Sequence, residues 1–115
     1  MNIYEKWLIK EAKKNEKFFK NYLKYAKIIK KEAEKVAPDV KGYVFGSVLR
    51  KTGVPGDIDI LLISSSFKDY KTKRKTLSKI FDKIGTLWPF EIHLITPDQY
   101  NNWYKYFIKR KKVIE

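Results

Sequence analysis

Cysteine is absent from the 115 residues. Its absence excludes disulfides and thiolate metal sites, and the expected setting is a reducing cytoplasm. No apolar run approaches the ~20 residues of a membrane-spanning helix. The opening MNIYEKWLIKEAKK is charged within its first five residues and does not read as a signal peptide. No GxxxxGK occurs, which excludes a P-loop NTPase. Low-complexity tracts, internal repeats and linkers are also missing. Arginine is scarce: Arg50, Arg74 and Arg110 are the only three among 26 basic residues, although phosphate readers often favour the bidentate guanidinium.

What is present is apolar side chain and positive charge. A hydrophobic fraction of 43% and eighteen aromatic residues exclude a disordered tail. The length implies a single domain over 1–115, with one modest core and no room for a second. A function that needs a separate substrate-binding domain must therefore borrow one from a partner.

The net charge of +13 makes this a basic protein and raises RNA as a partner, because clustered lysines bind phosphates by releasing counterions. The excess charge lies on the segments that read as helices. Residues 39–64 are neutral overall. Solvated basic helix faces and a nucleic-acid or acidic partner surface both account for this pattern.

Leu8, Ala12, Asn15, Phe19, Tyr22, Ala26, Ile29, Ala33 and Val36 recur every three or four residues, so an N-terminal helical region over 1–37 ends before Pro38. One straight helix of that length would span about 50 Å, more than a compact domain of this size. It either breaks near Asn15 and folds onto the sheet or projects, carrying Ile3, Trp7 and Leu8 as a partner or dimer surface.

VKGYVFG reads as a strand, SVLRKTG as a short helix or turn opening on Ser47, and VPG as a loop. DIDILLIS is a second strand buried on both faces. The segment from Tyr70 to Ile84 is a surface helix with Leu77, Ile80, Phe81 and Ile84 inward, stopped by Gly85. PFEIHLIT is a third strand. A C-terminal helix is expected over 97–115, with Tyr100, Trp103, Tyr104 and Phe107 as its inward stripe. The fold class is α/β (α+β): a small mixed sheet of three or four strands covered by helices, with 40–96 as its core.

Strand alternation places Asp57 and Asp59 on one face, roughly 6–7 Å apart. Two ionised carboxylates held so repel unless a cation lies between them, and a hard divalent ion such as Mg²⁺ resolves the conflict while leaving room for substrate phosphates. Glu91 supplies a third carboxylate if FEIHLIT neighbours DIDILLIS, and His93 shares its face. His93 reads as an active-site neighbour or as a structural polar residue. Trp88, Pro89 and Phe90 read as core, or as the wall of a base pocket.

A strand, then Gly46 and Ser47, nine intervening residues, Asp57-Ile58-Asp59 opening the next strand, and an acid in a third: this arrangement resembles the polymerase-beta-like nucleotidyltransferase superfamily. The phrase from Phe45 to Arg50 is most similar to that of the minimal nucleotidyltransferase branch. Lys51 stands where that phrase has glycine, Gly56 where many members have serine, and Glu91 where aspartate is more frequent.

The resemblance implies a nucleotidyltransferase fold that moves NMP, AMP above all, from an NTP to an acceptor hydroxyl. It implies two Mg²⁺ ions on Asp57, Asp59 and Glu91, and a triphosphate, normally of ATP, against Gly46, Ser47 and Arg50. In the minimal branch the partner is commonly a helical HEPN protein, to which the nucleotidyltransferase is antitoxin, by adenylylating a tyrosine or by complexation. A homodimer and an RNA acceptor remain open, as does a non-catalytic nucleotide- or nucleic-acid-binding module of the same fold.

Overall fold

The computed structural model describes every residue except Thr52 and Val54; the loop expected at Val54 and the part of the short helix expected at Thr52 lie outside the described residues. The chain begins with α1 (Ile3–Lys20), whose first turn is capped by Asn2, its side chain accepting from the Glu5 amide at 2.8 Å. It stops at Asn21, where the Asn21 amide and side chain both donate to the Lys17 carbonyl. The continuous stripe thus breaks, but at Asn21 rather than Asn15, and α2 (Tyr22–Glu34) follows at once.

The outcome lies between the two alternatives expected: the helix breaks, yet only its second part folds onto the sheet and the first projects. α2 lies on the sheet, burying Ala26, Ile29 and Ala33, while α1 is held only through its C-terminal turn. There Phe18 is buried, edge-on to Tyr25 at 4.7 Å and to Phe90 at 5.3 Å. The rest of α1 leaves Ile3, Tyr4, Trp7 and Leu8 exposed and stretches the molecule to 51 Å.

The sheet has the order β3-β2-β1-β4. Strand β1 (Lys41–Phe45) runs antiparallel to β2 (Ile58–Ile63) and to β4 (Lys111–Ile114), and β3 (Phe90–Ile95) lies parallel to β2. A parallel neighbour needs a crossover, which α3 (Tyr70–Ile84) provides. Its N-cap is Asp69, accepting from Lys71 N at 3.0 Å, and its stop is Gly85 at φ 86°. It buries Thr76 and Ile80 and packs Leu77 and Ile84 against the same core, as expected for the last three; Phe81, also expected to face inward, is exposed.

One sheet face packs Val44, Ile58, Ile60, Leu62, Phe90, Leu94 and Ile114 against α2 and α3. The opposite face carries a smaller apolar group, Leu61, Ile63 and Ile95, covered by Tyr100, Tyr104 and Ile108. Strand β2 is therefore buried on both faces over most of its length, and the carboxylates occupy the part of the second face that this cover leaves open.

The C-terminal segment departs from expectation. The helix expected over 97–115 ends after six residues: α4 spans Pro97–Asn102, a 3-10 turn follows at Tyr104–Tyr106, and the chain returns as β4. Trp103 leaves helical geometry at φ −141°, and Trp103 and Phe107 are exposed rather than inward. Pairing with β1 outweighs the helical spacing, because β4 satisfies the free edge of β1 and brings Ile114 into the core. Lys111 ties down the return, its ammonium donating to the Tyr100 hydroxyl and lying 4.7 Å from the Tyr43 ring centre.

Candidate active site

The parallel register sets Asp59 directly beside Glu91 and Leu61 beside His93. Side chains at paired positions of neighbouring strands share a face, so Asp59, Glu91 and His93 converge. One donor atom from each lies within 4.8 Å of the others. His93 Nε2 is 3.5 Å from Asp59 Oδ1 and 3.6 Å from Glu91 Oε1. The group is graded in exposure: Asp59 retains 16% of its side-chain surface, His93 20% and Glu91 56%.

Asp57, one residue before β2, completes the group. Hydrogen bonding with Glu91, burial, and the negative charges of Asp59 and Glu91 push its carboxyl up to about 6. The protein thus holds carboxylates closer together than their charges favour, the arrangement that a divalent cation relieves. Carboxylate oxygens with one imidazole nitrogen form a donor set that fits such an ion.

Gly46, between β1 and the 3-10 turn Ser47–Leu49, has φ 82° and ψ −155°, a conformation that disfavours any side chain. A Cβ there would also fall on Asp59 Oδ2. The glycine therefore has a second reason beyond access to its backbone: the Asp59 carboxylate occupies the space where a side chain would be. Ser47 Oγ accepts from the Gly56 amide at 3.3 Å, tying the turn to the entrance of Asp57.

Beside this turn opens a groove of about 780 Å³ lined by Phe45, Gly46, Ser47, Arg50 and Lys51 from one side, and by Phe107, Ile108, Lys109 and Arg110 from the other. Its walls are basic with an apolar floor, and it meets the carboxylates at Gly46. The sequence reading had Gly46, Ser47 and Arg50 but not the second wall. The return of the chain along β4 brings Lys109 and Arg110 there, and their only signal in the sequence was a basic run beside aromatics. Trp88 is exposed, whereas Pro89 and Phe90 are buried.

Comparison with known proteins decides the family: the model of the DNA polymerase beta palm matches residues 19–105. The chain belongs to that family, and with it to the polymerase-beta-like nucleotidyltransferases. Two crystal structures of a "putative nucleotidyltransferase" share the fold. One is 29% identical, with TM-score 0.63 over 77% of this chain and 96% of the other. The second, from Sulfolobus solfataricus, is 20% identical, with TM-score 0.58 over 86% and 84%. No curated protein matches the chain. The palm match spans α2, the whole carboxylate group and α4, so the elements that position the site are those that define the family. The nucleotidyltransferase fold supports general nucleotidyl transfer, and relatives with it use NTP substrates and a divalent metal. No helix of the described residues is long and apolar enough to cross a membrane.

Proposed function

We propose that this protein is a Mg²⁺-dependent nucleotidyltransferase of the minimal branch, transferring NMP, with AMP as the favoured group, from an NTP to an acceptor hydroxyl on a partner protein or RNA. The observation that carries the reading is the parallel pairing of Asp59 with Glu91, with Asp57 crowded against both. In this reading Asp57, Asp59 and Glu91 hold the divalent ions, and Gly46, Ser47 and Arg50 bind the triphosphate.

The acceptor oxygen forms a bond to the α-phosphorus, the bond from that phosphorus to the bridging oxygen breaks, and pyrophosphate leaves with the electron pair. Two metal ions, when bound, supply charge neutralisation at the attacking and leaving oxygens. The chain's own contribution is placement. The rigid strand Ile58–Ile63 holds Asp59, and Gly46 admits its carboxylate beneath the turn. Arg50, Lys51, Lys109 and Arg110 surround the groove with charge of the sign that a triphosphate requires, and Phe107 offers an exposed ring for a base. Glu91, more exposed than Asp59, is the carboxylate we assign to the acceptor hydroxyl and its proton.

The exposed apolar end of α1 supports a protein partner over an isolated enzyme; the resemblance to the minimal branch makes that partner a helical HEPN protein in an antitoxin pair. Incubation with Mg²⁺, α-labelled ATP and a candidate partner tests the reading. Label transfer that disappears in Asp57→Asn and Asp59→Asn supports it. Transfer or metal binding unchanged by both substitutions sinks the carboxylate assignment, whereas nucleotide binding with no transfer to any acceptor favours a non-catalytic binding module.

A further inference from the structure

His93 is the only histidine of the chain, and its ring is positioned from every side. Nε2 points to the Asp59 and Glu91 carboxylates, at 3.5 and 3.6 Å. Nδ1 lies 3.5 Å from the Tyr104 hydroxyl. Phe45 and Tyr104 bracket the ring, with centroids at 5.2 and 5.8 Å. Tyr104 comes from the C-terminal segment that covers the second sheet face, so His93 links that cover to the carboxylates.

We infer that His93 Nε2 is itself a donor of the metal site, giving this protein a mixed oxygen and nitrogen ligand set that raises its affinity for Mn²⁺ and later transition-metal ions relative to an all-oxygen site, while still admitting Mg²⁺. The inference rests on the reading of Asp59 and Glu91 as metal carboxylates. Two donors each about 2.1 Å from one ion lie roughly 3.0–3.5 Å apart at octahedral to tetrahedral angles. The separations from Nε2 to the two carboxylate oxygens, 3.5 and 3.6 Å, lie at and just beyond the upper end of that range, so a shared ion draws the side chains slightly inward.

Imidazole is a good ligand for Co²⁺ and Zn²⁺, a weaker one for Mn²⁺, and a poor one for Mg²⁺, which favours oxygen and keeps its waters. With Nε2 given to a metal, the ring proton sits on Nδ1 and is donated to the Tyr104 oxygen. A hydrogen bond of this kind fixes the tautomer and orientation of a ligating histidine. Tyr104 is accordingly a positioning residue.

The direct test uses the unaltered protein. Mn²⁺ is added to samples with ¹⁴N or ¹⁵N histidine, and nitrogen coupling to the electron spin is recorded by pulsed paramagnetic resonance. Because the label enters only at His93, a coupling that changes with the isotope proves ligation. Calorimetry then compares Mn²⁺ with Mg²⁺: His93→Gln should lower Mn²⁺ affinity roughly tenfold or more and Mg²⁺ affinity much less, with Tyr104→Phe in the same direction and smaller. Mn²⁺ bound in an Asp59-dependent manner but without isotope-sensitive coupling overturns the histidine and leaves the carboxylate site standing. Mn²⁺ that does not bind, or binds equally in Asp59→Asn, overturns both.

Discussion

A side chain on residue 46 would land on the carboxylate of Asp59. The glycine of the turn and the aspartate of the strand are thus one feature, in which the backbone bends at φ 82° so that the carboxylate can lie beneath it. Gly46→Ala should cost about 1–3 kcal/mol for the glycine-only backbone conformation alone. It should cost more through displacement of Asp59. The expected result is a lower urea midpoint together with weakened divalent-metal binding. A loss of stability with metal affinity intact would separate the two residues.

Asp57 makes stability depend on pH. Its carboxyl titrates near 6 in the folded chain and near 3.8 when unfolded, so between those values the folded state binds more protons. Stability contributed by this group is therefore lost as pH rises from about 4 to about 6 and stays lost above. Without divalent metal, the melting temperature of Asp57→Asn relative to the natural protein should be higher at about pH 7.5 than at about pH 4. Mg²⁺ or Mn²⁺ should narrow the gap at the higher pH. A difference that is flat with pH contradicts the crowding of the carboxylates.

The groove predicts a charge-count effect on nucleotide affinity. Arg50→Ala and Arg110→Ala should each weaken ATP binding about tenfold, in line with the 1.5–3 kcal/mol of a hydrogen bond to a charged group. AMP, which lacks the outer phosphates, should be affected much less. Fluorescence titration with labelled ATP and AMP checks both.

The first ten residues should be dispensable for folding. Ile3, Tyr4, Trp7 and Leu8 are exposed, so removing residues 1–10 should leave the thermal midpoint nearly unchanged while reducing partner association. Phe18→Ala, by contrast, empties a site shared with Tyr25 and Phe90 and should cost about 3–5 kcal/mol. Equal losses in the two variants would mean that α1 is docked along its length.

The site was legible in the sequence where chemistry and strand period coincide. Alternation alone puts Asp57 with Asp59, and Glu91 with His93, and the apolar run Ile60–Ile63 marks a strand buried on both faces. What alternation cannot supply is which strands are neighbours. The Asp59–Glu91 pairing follows from a parallel register, set by the α3 crossover.

The C-terminal segment misled because Tyr100, Trp103, Tyr104 and Phe107 have helical spacing, while β4 is an edge strand whose lysines hide its period. Its Lys111–Ile114 stretch buries Ile114 alone, and its pairing with β1 is a long-range effect that no local window contains. Lys109 and Arg110 were missed for the same reason. The break at Asn21 rather than Asn15 depends on the docking of Phe18 between Tyr25 and Phe90, again a contact across the fold.

The central claim is that Asp59 and its neighbours bind a nucleoside triphosphate through divalent metal. Calorimetry with an ATP analogue blocked at the α,β bridge, in the presence and absence of Mg²⁺ or Mn²⁺, tests it most directly. The account predicts binding that requires the metal and is lost in a folded Asp59→Asn variant. Equal binding without metal, or undiminished binding by that variant, would contradict it.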